Sequence, residues 1–189
     1  MTVFQNIRKG LIPARLTVDE VFALTESGVI AESENIELID GKIVPMAAAK
    51  ASAHERMKSR LIEWLVMRKP RELGVYAESS LALDAGTLVE PDIAVWPRDL
   101  ASRDARGPDV VLLIEVADSS LSYDIHVKAP LYARYGVRDY WVVDAVRQTI
   151  RIHRAPEDGM FTDVEEYEAH NSVAPLLLPG ITLRLDTLD

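Results

Sequence analysis

The sequence predicts an α/β protein, a mixed β-sheet flanked by helices. Two patterns and their order carry that expectation. Apolar runs of strand length recur between residues 75 and 154. A stretch around residue 60 repeats its apolar residues at helical spacing instead. The order along the chain is helix, hairpin, helix, strands, helix, strands, which is the alternation that lays helices over a sheet.

The elements follow in turn. The first dozen residues read as a loose tail. "LTVDEVFALTESG" predicts a short helix: Thr17 is placed as N-cap, Glu20 three residues later completes a capping box, and Gly28 is placed to end it. "NIELIDGKIVPM" predicts a hairpin, because Asp40-Gly41 between two apolar-rich runs suits a type I′ turn. Residues 51 to 73 predict an amphipathic helix of about six turns. Met57, Leu61 and Leu65 recur there every four residues, flanked by Ile62, Trp64 and Val66. "VYAESSLAL", "PDIAVWP" and "DVVLLIEVA" then read as strands. Asp124 to Tyr135 reads as a helix that Pro130 must kink or start late. After Gly136, "DYWVVD" and "TIRIHR" are strands joined by a polar turn, with weaker strand signals at "FTDVEEYEA" and "GITLRL". With no repeat or linker in view, residues 1–189 are expected to form one domain.

Composition narrows the function classes. No run approaches the roughly 18 apolar residues that span a bilayer, and the start lacks the pattern of a secretion signal. A cytoplasmic protein with no membrane partner is expected. Without cysteine there are no disulfides and no thiolate zinc site, so a metal would have oxygen ligands, with or without a histidine. The net charge of −9 argues against sequence-independent binding along a polyanion. Seven basic residues between Lys50 and Arg71 (Lys50, Arg56, Lys58, Arg60, Arg68, Lys69 and Arg71) stand against only Glu55 and Glu63. They read as a solvated helix face, or as a helix that faces phosphates.

Three charged positions interrupt apolar patterns. Glu115 lies inside "VVLLIEVA", where an unpaired carboxylate would cost several kcal/mol. Asp92 follows Pro91 and opens the strand "IAVW". If the two strands are neighbours, these acids converge at one edge of the sheet and call for a cation, because two carboxylates close together repel. Lys128, four residues after Asp124, is the third member, although that spacing also describes an ordinary surface pair.

Together these residues carry a resemblance. "PD" at 91–92, "EVADSS" at 115–120, Asp124 with Lys128, "YGV.DYWVVD" ending at Asp144, and "ELIDGKIVPM" followed by His54 resemble the bacterial Uma-two family of restriction endonucleases. That family lies within the PD-(D/E)XK nuclease superfamily. The resemblance covers about residues 17 to 154. It implies a restriction-endonuclease-like core and a metal-dependent endonuclease hydrolysing phosphodiester bonds of DNA.

Carried over by motif, Asp92 and Glu115 would bind Mg2+ or Mn2+ as catalytic acids, and Glu37 would complete the metal set. Read as a strand residue alone, Glu37 would face solvent. In the wider superfamily a lysine stands two residues after the second acid, and here that position is Ala117. The Uma-two pattern has a lysine on the following helix, which Lys128 matches. His54 continues the stripe of Met57 backward; on its own it reads as a hydrogen-bonded structural group, and the resemblance implies a site-lining residue. Asp124 would orient Lys128 or pair with it. Tyr140 and Trp141 read as core aromatics. A homodimer would suit cleavage of both strands. The alternatives are a catalytically inactive module of the same fold that binds nucleic acid or a protein, favoured by Ala117, by the acidic charge and by the want of a separate DNA-binding domain, and a purely structural carboxylate network, which requires an Arg or Lys within hydrogen-bonding reach of Glu115.

Overall fold

A computed structural model describes residues 2–31, 33–46 and 52–188. In chain order the elements are α1 (Val3–Arg8), α2 (Val18–Glu26), β1 (Ile36–Ile39), β2 (Lys42–Pro45), α3 (Ser52–Arg68), β3 (Leu73–Ala77), β4 (Leu81–Asp84) and β5 (Thr87–Val89). They continue as β6 (Ile93–Pro97), β7 (Leu112–Ala117), α4 (Leu121–Tyr123), a π-helical turn over Asp124–Lys128, α5 (Ala129–Arg134), β8 (Asp139–Asp144), β9 (Thr149–Glu157) and β10 (Met160–Glu168). Contacts divide the chain into two units, Met1–Ala49 with Ser80–Glu90, and Lys50–Ser79 with Pro91–Asp189. The chain passes between the units at 49/50, 79/80 and 90/91, and no linker-like composition marks these points.

The first unit is a four-stranded antiparallel sheet in the order β2-β1-β5-β4 with α1 and α2. The expected capping box of α2 is present, Thr17 and Glu20 each accepting from the other's backbone N–H. Asp40 and Gly41 take φ of 49° and 78°, the left-handed pair that a type I′ turn requires. The opening residues are not a loose tail. Thr2 and Gln5 form a second capping box, Glu34 accepts the Val3 N–H at 2.9 Å, and Val3 is fully buried with Ile12, Leu16 and Leu38.

The second unit is a six-stranded sheet in the order β10-β9-β8-β7-β6-β3, with β7 and β8 parallel and the other pairs antiparallel. A parallel pair needs a crossover, and α4, the π turn and α5 supply it. β7 is central, and all six of its residues are buried. Met57, Leu61, Trp64 and Leu65 of α3 pack with Ile93, Leu112, Ile114 and Trp141.

The sequence is corrected at four places. α3 stops at Arg68 rather than continuing to residue 73, because Pro70 has no N–H to extend the ladder; Lys50 and Ala51 lie outside the described residues. "VYAESSLAL" is not one strand. Glu78 takes a left-handed φ of 49° and the stretch splits into β3 and β4, one in each sheet. Helical structure begins at Leu121 rather than Asp124, and it widens before Pro130 instead of kinking. "GITLRL" forms only an isolated bridge, Leu183 to Val173. Among the described residues no helix is long and apolar enough to cross a membrane.

Candidate functional site

β6 and β7 run antiparallel with Ile93 opposite Ile114, so one step further Asp92 faces Glu115. The two acids are buried, 6% and 3% exposed, and each is tied to the other's strand. The Asp92 N–H donates to Glu115 Oε2 at 3.2 Å, and the Val116 N–H donates to Asp92 Oδ2 at 2.8 Å. Their convergence follows from register alone.

Lys128 arrives from the crossover. Pro130 cannot donate to the carbonyl four residues back, and the preceding turn widens so that Ala129 N–H reaches Asp124 O. This wider turn carries Asp124 and Lys128 inward, where both are buried. Lys128 Nζ donates to Glu115 Oε1 at 2.9 Å, and the Tyr132 hydroxyl one turn later donates to the same oxygen at 2.8 Å. The Asp124 carboxylate accepts from the Ser120 hydroxyl at 2.7 Å, and its carbonyl accepts from the Tyr140 hydroxyl at 3.2 Å.

His54 enters from the first turn of α3. Its Nε2 lies 3.1 Å from Asp92 Oδ2 and its Nδ1 lies 3.1 Å from Glu55 Oε1. One network in the second unit therefore joins Asp92, Glu115, Lys128 and His54. Glu37 belongs to the first unit; it is buried on β1, not solvent-facing, and accepts the Glu90 N–H at 3.1 Å. Tyr140 and Trp141 are fully buried, as core aromatics should be.

Two members escape a reading by sequence. Tyr132 looks like one more apolar residue of a short helix; its signal is its place four residues after Lys128, on the same helix face. Lys58 looks like part of a solvated basic face, yet it is 7% exposed and bonds to Glu55 and Glu78. The rest of that basic cluster divides into exposed Arg56, Arg68 and Arg71 and half-buried Arg60 and Lys69.

The donor set decides which metal it suits. The two adjoining carboxylates are hard oxygen donors, the imidazole beside them is a borderline one, and there is no thiolate. Among the described residues no three histidine, aspartate or glutamate side chains group as a ready metal site. A pair of carboxylates is an oxygen set that suits a hard divalent cation keeping several waters.

Comparison with known proteins gives a family and a fold. A family profile named Uma2, described as "Putative restriction endonuclease", matches residues 18–186. Among solved structures, a "putative nuclease belonging to DUF820" from Anabaena variabilis ATCC 29413 superposes with a TM-score of 0.69 at 18% identity. That match covers 92% of this chain and 97% of the other. At such identity the likeness is one of fold. No curated protein matches the chain.

Proposed function

The chain belongs to the Uma2 family of restriction-endonuclease-like proteins, and from that premise we propose that it is a magnesium-dependent endonuclease that hydrolyses phosphodiester bonds of DNA. One observation carries the reading: Asp92 and Glu115 meet across neighbouring strands with the Lys128 ammonium 2.9 Å from Glu115.

A phosphodiester resists hydrolysis because water is a weak nucleophile and the phosphorus is shielded by anionic oxygens. Magnesium or manganese bound at Asp92 and Glu115 would neutralise that charge and make bound water more acidic. The chain's own residues do the rest. Asp92 is held by the Val116 N–H and by His54, so its carboxylate enters the reaction already oriented. Glu115 is held by Tyr132 and by the Asp92 N–H, so it does not depend on Lys128 alone for its place. Lys128, carried on a helix where related nucleases carry their lysine on the strand, orients the attacking water or stabilises charge on the phosphate oxygens.

The test is cleavage of supercoiled plasmid with magnesium or manganese by the wild type and by Asp92→Ala and Glu115→Ala. Cleavage should disappear in both variants. Variants that cut as the wild type does would remove the assignment, and a wild type that binds DNA without cutting it would favour the inactive-module reading.

A further inference from the structure

Asp92 is one node of a closed ring of hydrogen bonds, most of which the reaction above leaves unused. Asp92 Oδ2 meets His54 Nε2 at 3.1 Å, and His54 Nδ1 meets Glu55 Oε1 at 3.1 Å. Lys58 Nζ donates to that Glu55 oxygen at 3.0 Å and to Glu78 Oε1 at 2.8 Å. The Glu78 N–H returns to the Asp92 carbonyl at 3.2 Å. We propose that Lys58 and Glu78 are positioning residues, which fix His54 and through it the Asp92 carboxylate. The inference rests on the reading of Asp92 as a metal-holding acid.

Three features set this ring apart from an ordinary helix-surface pair. Lys58 sits on a helix whose exposed face carries Arg56, Ser59 and Glu63, so an outward path was open to a lysine. Its side chain is nonetheless 8% exposed, and burying an ammonium is unfavourable unless it is paired. Glu78 takes a left-handed φ of 49°, a conformation that costs a non-glycine residue and that persists only where surroundings enforce it. That backbone lets one residue give its N–H to the Asp92 carbonyl and its carboxylate to Lys58.

The third feature is the exposure of Glu55. Its side chain is 49% exposed, and a free carboxylate there would move among rotamers and hold His54 loosely. Lys58 pins it from the buried side. Asp92 is thereby held at its carboxylate through His54 and at its carbonyl through Glu78, two ends of one loop. A site needs its acid fixed to within a fraction of an ångström, and partners of this kind govern metal affinity although they touch no metal.

The experiment compares Lys58→Met, Lys58→Arg and Glu78→Gly with the wild type and Asp92→Ala. Two quantities are measured on the full chain: Mn2+ binding by calorimetry, and the side-chain 15N signals of His54 by NMR in metal-free protein. Lys58→Met should weaken Mn2+ binding by roughly 10- to 100-fold and shift both ring nitrogens of His54, and Lys58→Arg should recover most of both. Glu78→Gly relieves the left-handed backbone but takes one of the two carboxylates from Lys58, so with its fold verified by circular dichroism it should bind Mn2+ more weakly. Unmoved His54 signals in Lys58→Met, or a Glu78→Gly protein that binds Mn2+ like the wild type, overturn the inference. Asp92→Ala binding Mn2+ like the wild type would instead overturn the metal reading of Asp92, and the His54 signals would still decide the ring.

Discussion

Two regions of the six-stranded sheet bury carboxylates at strand ends, and they bury them differently. Asp139, at the start of β8, is fully buried and accepts from Arg154 Nε at 2.8 Å, Trp141 Nε1 at 2.9 Å and the Leu176 N–H at 2.6 Å. Arg154 also donates to the Ala174 carbonyl at 2.6 Å, so the cluster pins the segment after β10 onto β8 and β9. Its cation and anion are locked by rigid donors whose task is finished when the chain has folded. At the end of β7 the partners are of another kind. Glu115 is paired with a lysine ammonium and a phenol, and across the ladder stands a second acid. Burial of a carboxylate alone thus does not separate the two clusters; what sets the β7 end apart is a second acid beside the first.

The largest expected effect breaks the structural side. Asp139→Ala strands Arg154, the Trp141 indole and the Leu176 N–H, and breaking a buried pair from one side costs about 3–5 kcal/mol. Urea unfolding should show a loss of that size. Metal affinity should fall only as the folded fraction falls. A Mn2+ affinity that collapses in a fully folded Asp139→Ala protein would erase the distinction between the two clusters.

The next tests the other side. Asp92→Asn keeps the shape of the side chain and an oxygen for the Val116 N–H but removes the charge. Cleavage should fall on the order of 100- to 1000-fold, the scale seen when one stabilising group leaves a reacting centre. Unfolding free energy should shift by less than about 1 kcal/mol, since like charges are separated as a hydrogen bond weakens. Stability lost on the scale of Asp139→Ala, with cleavage intact, would make Asp92 a second structural acid.

His153 sharpens the contrast with a buried base. It lies on β9 with its ring 5.3 Å from Tyr140, and among the described residues its Nδ1 has no hydrogen-bond partner. Burial lowers its pKa from 6.5 to about 4. The unfolded chain therefore takes up a proton at this residue before the folded protein does. Its contribution to stability is complete above pH 6.5 and is lost as the pH falls toward 4, a change on the order of 3 kcal/mol. His153→Phe should flatten the stability profile in that window. A profile unchanged by the substitution would show that the slope belongs to the carboxylates.

How much of this was legible depends on how local each signal is. The capping box of Thr17 and the Asp40-Gly41 turn are decided by neighbours within four residues, and the structure has both. Asp92 and Glu115 could be singled out because each breaks an apolar run, and register then had to bring them together. The left-handed turn at Glu78 has no such mark, because glycine would announce it and glutamate does not. Lys58 was misread for a related reason: charge predicts solvent, and only the contacts to Glu55 and Glu78 turn it inward. The π turn before Pro130 was half visible, since proline forbids one bond without saying how the turn before it rewinds.

The smallest effect concerns Tyr132, and it asks how much of the Glu115 cluster is scaffold. Tyr132 is fully buried, its ring 4.9 Å from Tyr140, and its hydroxyl donates to Glu115 Oε1 beside Lys128. Tyr132→Phe removes that donor and leaves the ring in place, so the packing is kept. Glu115 still has Lys128 on the same oxygen and the Asp92 N–H on the other, and its charge stays compensated. The loss should be one hydrogen bond, about 1 kcal/mol in urea unfolding. Cleavage should change by less than about tenfold, because the acid keeps its cation and its strand. A drop as deep as that of Asp92→Asn, in a protein that melts like the wild type, would move Tyr132 from the frame of the site into its chemistry. It would also show that the pair of acids is not sufficient to tell the two clusters apart.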